Sequence, residues 1–512
     1  MKRSITIIAA TLGFVLSSFG QFNPQPKGIT KKFFPNPNVS IETPGISKKK
    51  GFMVHEELET FLKQLSEKHP NEFAFNTIGY SQEGRAIFSI HLPALASDHP
   101  VRYWAQGGLH GDEPASSEGL LHFLTECIEN QELLTMRENV EILIIPVANV
   151  DGYEKNNRYA ANGLDLNRDQ TKLMMPETQV LKTAFSAFNP HVAVDFHEYR
   201  PFRRDFVRLG DFGVTARNDV MFLYTGNLNV PVTVREMIEK EFVNVTKSVM
   251  DEHGYVNENY STSFDSHGEI HFNSGSFHSR SSATNYALNN TISTLVEVRG
   301  VGIGRTSFLR RTHITYLIAE SYLRESHRKS DNIIRLIEEL VPYNEVAHVQ
   351  MKRTVEDRSM TFIDVNSFKE IKLNVTTHDA NRMISRKSRE IPAYYILPED
   401  SEMKGKLENL GINYTYEKPQ GGSWFGYEIT AMESDPYPYE GGTITSVDAI
   451  IKPVDEPEGN WIYIPTQQRR RALLVEIFEP ETENGWVHFS LIPAEKDQFL
   501  ELYRYHINDE TK

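Results

Sequence analysis

The sequence predicts an α/β protein: a sheet with helices on both faces, followed by a smaller, mostly β region. Three observations carry that reading. Between Gly51 and Leu340, stretches with helical spacing alternate with short apolar runs, the pattern of a helix-covered sheet. From Glu345 onward, short β-rich runs recur between turn signals. The chain has 512 residues, more than one ordinary domain of ~100–200 residues holds.

The elements follow in order. Lys2 and Arg3 precede an apolar run, Ile5 to Leu16, and then Ser17, Ser18, Phe19 and Gly20. That is the layout of a secretory signal peptide over residues 1–20, cleaved near Gly20; the run is short of the ~20 residues a membrane span needs. Residues 21–50, rich in Pro, Asn, Ser and Lys, read as an extended lead-in. Residues 51–340 form the larger unit. Leu58, Phe61, Leu62 and Leu65 give His55–His69 a helical face, and Pro114 opens a helix that runs to Glu129. Glu177–Phe188 and Thr312–Leu340 are further helical stretches. Phe73–Ile78, Ala86–Leu92, Val101–Gln106, Val140–Pro146, Val192–Phe196 and Thr294–Val298 read as strands. A boundary is expected at Val341-Pro342-Tyr343-Asn344. Residues 345–512 then form an accessory domain, with strands expected at Ala393–Leu397, Asn413–Glu417, Trp424–Ile429, Thr443–Ile451, Trp461–Pro465, Ala472–Phe478 and Trp486–Ile492, and a helix at Glu402–Leu410.

Composition bounds the function. Hydrophobic residues at 39% and charged residues at 24% suit a soluble globular chain. The net charge of −15 falls to −17 when Lys2 and Arg3 leave with the signal, which argues against nucleic acid as a partner. A single cysteine, Cys127, excludes an internal disulfide framework and a cysteine-built zinc site. The expected product is secreted or periplasmic, with no membrane attachment after signal removal.

The chemistry concentrates at predicted strand ends. Gly107-Gly108-Leu109-His110-Gly111-Asp112-Glu113-Pro114 places an H-x-x-E between a strand and a helix. An imidazole and a carboxylate three residues apart on a turn can converge on one zinc ion; alone, the pattern equally suits a capping carboxylate beside a surface histidine. Val192-Ala193-Val194-Asp195-Phe196-His197 delivers His197 at the C-terminal edge of an apolar strand, where open α/β sheets place ligands. Two histidines and one glutamate leave a coordination position for water. Glu297 lies inside the apolar run Ser293–Gly300, a costly place for an acid unless it is paired, for instance with Arg299, or used in proton transfer. Asn157-Arg158 and Gly163-Leu164-Asp165-Leu166-Asn167-Arg168 group the amide and guanidinium donors that bind a carboxylate. His253, His267 and His271 lack a matching carboxylate motif and read as polar loop residues. Arg200, Arg203 and Arg204 read as surface, with a substrate-facing role as the alternative because the segment leaves His197 directly.

Together these pieces resemble the zinc carboxypeptidase family typified by pancreatic carboxypeptidases A and B. The resemblance runs from about Phe52 to Leu323 and keeps the family's order: Ile78-Gly79-x-Ser81-x-Glu83-Gly84-Arg85, the H-x-x-E, Asn149-Val150-Asp151-Gly152-Tyr153, the G-x-D-x-N-R, His197, and Glu297-x-Arg299. It implies a mixed eight-stranded sheet and one Zn²⁺ per chain, held by His110, Glu113 and His197. It further implies Glu297 as general base, Arg158 as the group that stabilises the oxyanion, Asn167 and Arg168 as the grip on the substrate's terminal carboxylate, and Asp165 as the acid orienting a zinc histidine. The family's mobile tyrosine has no counterpart at the matching spacing before Glu297; Tyr286 stands too close. The loop Gly275–Thr284 is expected to line the pocket for the terminal side chain, with Arg280 favouring an acidic one. The implied function is a secreted, bacterial-type zinc metallocarboxypeptidase with an extra C-terminal β domain. It would hydrolyse the last peptide bond of a substrate with a free C-terminal carboxylate, using a zinc-activated water. The rivals are another amide hydrolase on the same scaffold, acting on cell-wall stem peptides or acylated amino acids, and a non-catalytic binding protein.

Overall fold

A computed structural model describes residues 25–339 and 343–508. The predicted export signal lies outside the described residues, and the expected boundary at 341–344 is described only from Tyr343 onward.

The α/β sheet is present and has eight strands. Their spatial order is Ala74–Tyr80, Ala86–Leu92, Val140–Ile145, Val101–Gly107, Val192–Tyr199, Ile292–Arg299, Val220–Leu223 and Asn257–Asn259. The four from Val140–Ile145 to Ile292–Arg299 run parallel; antiparallel pairs flank them. The central strands are buried along nearly their whole length, as expected where helices cover both faces. His55–Lys68, Pro114–Glu129, Pro176–Phe188 and Phe308–Arg328 are the main covering helices, close to the sequence expectation. The long stretch expected at 312–340 begins earlier, at Phe308, and breaks after Arg328. The lead-in is not wholly extended: short helices form at Lys27–Phe33 and Pro44–Ser47. The second docks against the catalytic unit because buried Glu118 accepts hydrogen bonds from the Thr43 hydroxyl and the Gly45 amide.

Two further sheets complete the fold. One joins Val214–Ala216, the hairpin Val346–Asp364/Glu370–Glu390, Glu269–Ser274 and Ser261–Ser266. The other is the smaller C-terminal sheet: Thr445–Pro453, Gly422–Ser434, Phe499–Ile507, Tyr394–Pro398 and Trp461–Pro465. Three expected strands are absent. Ala472–Phe478 is a helix, Arg471–Phe478, every residue of which from Ala472 is buried; a run apolar at every position but Glu476 has no period to separate helix from strand. Trp486–Ile492 is a set of turns packed by Trp486, and Asn413–Glu417 makes one bridge, Thr415 to Tyr463. One apolar core runs unbroken from Trp104 and Phe185 to Leu410, Phe478 and Trp486, so the C-terminal region packs on the helices that cover the catalytic sheet.

Candidate metal centre and substrate cleft

The site forms at the C-terminal edge of the parallel strands. Strand Val101–Gly107 ends and its chain turns through His110 before Pro114 starts the helix Pro114–Glu129, with Glu113 at the N-cap position. Close backbone contact holds this turn: a Cβ on Gly111 would sit 2.0 Å from the Gly152 carbonyl carbon, so the H-G-D-E and N-V-D-G-Y motifs lock together at two glycines. Asp151, in the second motif, accepts hydrogen bonds from Ser81 Oγ (2.7 Å) and Arg85 Nη1 (2.6 Å). The S-x-E-G-R segment therefore braces the turn rather than meeting substrate.

His197 and Glu297 are register partners on neighbouring parallel strands, so their side chains project to the same side of the sheet. His110 Nδ1 lies 2.8 Å from Glu113 Oε1, His197 Nδ1 lies 2.8 Å from Glu113 Oε2, and the two Nδ1 atoms are 2.9 Å apart. All three residues are buried. His110 Nε2 faces Asp165 Oδ1 at 3.1 Å and His197 Nε2 faces Asp195 Oδ2 at 2.9 Å. Each carboxylate accepts a hydrogen bond from Nε2–H, which leaves the Nδ1 lone pairs aimed at one another and at Glu113. Two lone pairs and a carboxylate converging on one point is the donor set of a zinc ion. The charges agree: burial alone would raise the Glu113 carboxyl, but His110 and His197 reverse this and hold it below the ordinary carboxylate range. Among the described residues, His110, Glu113 and His197 are the one such group with metal-binding geometry; they form a single zinc site.

The remaining expected residues surround it. Arg158 donates to Asp165 Oδ2 (Nη2, 2.7 Å), and its Nη1 stands 3.1 Å from His110 Nδ1 and 3.7 Å from Glu113 Oε1. Asp165 caps the turn Leu166–Arg168 by accepting from the Asn167 amide. The Ser282 amide donates to Asn167 Oδ1 at 2.8 Å, which leaves the Asn167 amide nitrogen for a ligand. Arg168 and Arg280 line the same cleft, of about 490 Å³. Glu297 makes no hydrogen bond or salt bridge to any described residue. Its expected rival partner, Arg299, instead donates to Gln25 Oε1, Ala216 O and Thr215 Oγ1. Burial, and then the charge of Glu113, raise Glu297 to about 7, near the optimum for a group that accepts and returns a proton at neutral pH.

Two features were not read from the sequence, and a third was read only as an alternative. Asp195, two residues before His197, also accepts from Ser282 Oγ (2.5 Å) and Gln106 Nε2 (3.1 Å); the period of two along a strand puts it on the same face as His197. Tyr260 lines the cleft, its hydroxyl raised to about 12 by burial and the charge of Glu297. Arg200 and Arg203 line the cleft as well, the alternative to their surface reading, because the chain leaving His197 runs along its wall.

Parts of the chain are similar to known proteins. A family model described as zinc carboxypeptidase matches residues 58–201. Carboxypeptidase 2 of Trichophyton rubrum is 27% identical over 472 residues, covering 88% of this chain and 86% of that protein. Carboxypeptidase E of Caenorhabditis elegans is 33% identical over 133 residues, covering 22% of this chain and 28% of that protein. Among solved structures, a metallo-carboxypeptidase from Burkholderia cenocepacia aligns with a TM-score of 0.42 at 15% identity, over 53% of this chain and 68% of that one. Residues 58–201 match the zinc carboxypeptidase family model, and with one zinc centre at His110, Glu113 and His197 the chain is a hydrolase of the zinc metallocarboxypeptidase type.

Proposed function

We propose that the chain is an exported metallocarboxypeptidase that removes the C-terminal residue of peptides. The observation that carries the reading is Glu297: an unpaired carboxyl, raised to about 7, in register beside a zinc histidine and facing the cleft. Asn167 and Arg168 take the substrate's terminal carboxylate, Arg168 through its guanidinium fork. That grip fixes the last peptide bond at the metal edge of the cleft and so lowers the entropic part of the barrier. Zinc, when held here, polarises the scissile carbonyl and acidifies a water molecule. Glu297 accepts the water's proton and returns it to the departing amine. Arg158, oriented by Asp165, donates to the oxygen that gains negative charge, an interaction of the kind that removes much of the barrier in acyl transfer. Arg280 faces the terminal side chain.

Export rests on the signal-like residues 1–20. No helix among the described residues is long and apolar enough to cross a membrane. The extra C-terminal region accords with the secreted, bacterial type of the family. Incubating the purified protein with a mixed peptide library, with and without a chelator, tests the reading by mass spectrometry. Stepwise loss of single C-terminal residues, abolished by the chelator and by C-terminal amidation, is expected. Internal cleavage, or cleavage of amidated peptides at the same rate, would overturn it.

A further inference from the structure

The cleft is cationic on a chain whose net charge is −15. Six arginines line it (Arg158, Arg168, Arg200, Arg203, Arg280, Arg353) against three acids, Asp112, Glu198 and Glu297. Some of these charges are spoken for. Arg158 pairs with Asp165, Glu198 with Arg311 at 3.0 Å, and Arg203 faces Asp205 at 3.8 Å. Among the described residues, no carboxylate comes within 4.0 Å of Arg168, Arg280 or Arg353. These three surround His278, and their charges join burial in pushing its imidazole well below the ordinary value.

Two of the three arginines owe their place to the C-terminal region. Arg353 comes from the long hairpin strand Val346–Asp364. Its Nη2 donates to His278 Nε2 at 3.2 Å, and its guanidinium lies 5.0 Å from the Phe277 ring centroid. Its Nε is buried without a partner. Arg280 is steered by Asn484, whose Oδ1 accepts from Nη1 at 2.8 Å, and by the Tyr439 ring at 5.1 Å. Glu483 approaches His278 Nδ1 at 3.5 Å and its charge reaches both guanidinium groups, but it forms an ion pair with neither. A terminal carboxylate occupies Arg168. Two guanidinium groups then remain beside it with unmet charge, and burying such charge without a counterion is unfavourable.

Resting on the carboxypeptidase reading, we propose that this pocket selects peptides whose C-terminal residue has an anionic side chain, glutamate or aspartate, and that Arg353, Arg280 and Asn484 form its recognition surface. The C-terminal region thereby becomes part of the substrate site rather than a detached accessory. Glutamate and glutamine have nearly the same shape, so their comparison isolates charge. The test measures kcat/KM on acylated dipeptides ending in Glu, Gln, Leu or Lys, for the zinc-loaded full chain and for Arg353→Gln and Arg353→Lys. It also measures binding of N-acetylglutamate against N-acetylglutamine to the same proteins by calorimetry. A charge-assisted contact predicts Glu over Gln by about tenfold or more in both assays. R353Q should shrink the ratio and R353K should restore part of it. Equal values for Glu and Gln, or a faster Leu or Lys substrate, overturn the proposal while leaving carboxypeptidase activity standing. If every peptide is left uncut, the carboxypeptidase reading fails; calorimetry then decides the pocket, a Glu preference supporting the charge argument and equal binding overturning it.

Discussion

Asp195→Asn should loosen zinc without disturbing the fold. All three partners of this buried carboxylate are donors: His197 Nε2–H at 2.9 Å, Ser282 Oγ–H at 2.5 Å and Gln106 Nε2–H at 3.1 Å. An aspartate accepts from all of them; an asparagine must turn one N–H₂ towards a donor. The least costly arrangement keeps its oxygen on His197 and Ser282 and faces its nitrogen towards Gln106, whose Oε1 already accepts from the Tyr286 hydroxyl (3.1 Å). The variant therefore loses one hydrogen bond and the negative charge that makes His197 a stronger ligand. A charge-assisted bond contributes ~1.5–3 kcal/mol, and loss of such an outer partner lowers metal affinity ~10–100-fold. About 2 kcal/mol, or roughly thirtyfold in zinc Kd, is the expected loss. Competition with a zinc chelator of known affinity reads it directly, with near-ultraviolet circular dichroism as the check on folding. An unchanged Kd in a folded variant would refute the claim that the charge of Asp195 strengthens His197 as a ligand.

Two more predictions concern stability. Burial raises Glu476, which accepts from Asn227 and Asn229, to about 7, against an ordinary value of 4.5. The folded state therefore holds a proton that the unfolded state releases, and this contribution, present below pH 4.5, is lost as pH rises towards and through 7. Glu476→Gln, which preserves the acceptor oxygen, should flatten that slope in urea titrations between pH 5 and 8; an identical pH profile would count against the assignment. Gly300→Ala should destabilise, since a Cβ there would lie 1.4 Å from Glu198 Oε2. Overpacking of this kind costs ~1–3 kcal/mol, visible as a lowered Tm, and an unchanged Tm would show that Glu198 is free to move.

The sequence revealed the catalytic half of the molecule more fully than the rest, for physical reasons. The central strands are buried on both faces and appear as unbroken apolar runs, so any polar residue inside one stands out; His197 and Glu297 were found that way. His110 and Glu113 were legible because two glycines and a proline mark the strand-to-helix turn. Asp195 stands in the same run as His197, yet its role depends on which donors lie across from it, and those come from Gln106 and Ser282 far along the chain. The hairpin Val346–Asp364/Glu370–Glu390 escaped notice because its residues alternate only between exposed and half-buried over most of their length, with little hydrophobic contrast to mark a period of two. Arg353 was hidden with it. Helix Arg471–Phe478 reads as a strand for the opposite reason: from Ala472 onward every residue but Glu476 is apolar.

Metal content of purified variants tests the account most directly. Inductively coupled plasma mass spectrometry should find one zinc per chain in the native protein and in Glu297→Gln, and little in His197→Ala or Glu113→Ala. The Glu297→Gln protein, though fully loaded, should lose the ~10²–10⁴-fold that a proton-transfer group contributes to turnover. Zinc retained at full occupancy without His197 or Glu113, or full activity without the Glu297 carboxylate, would contradict the account.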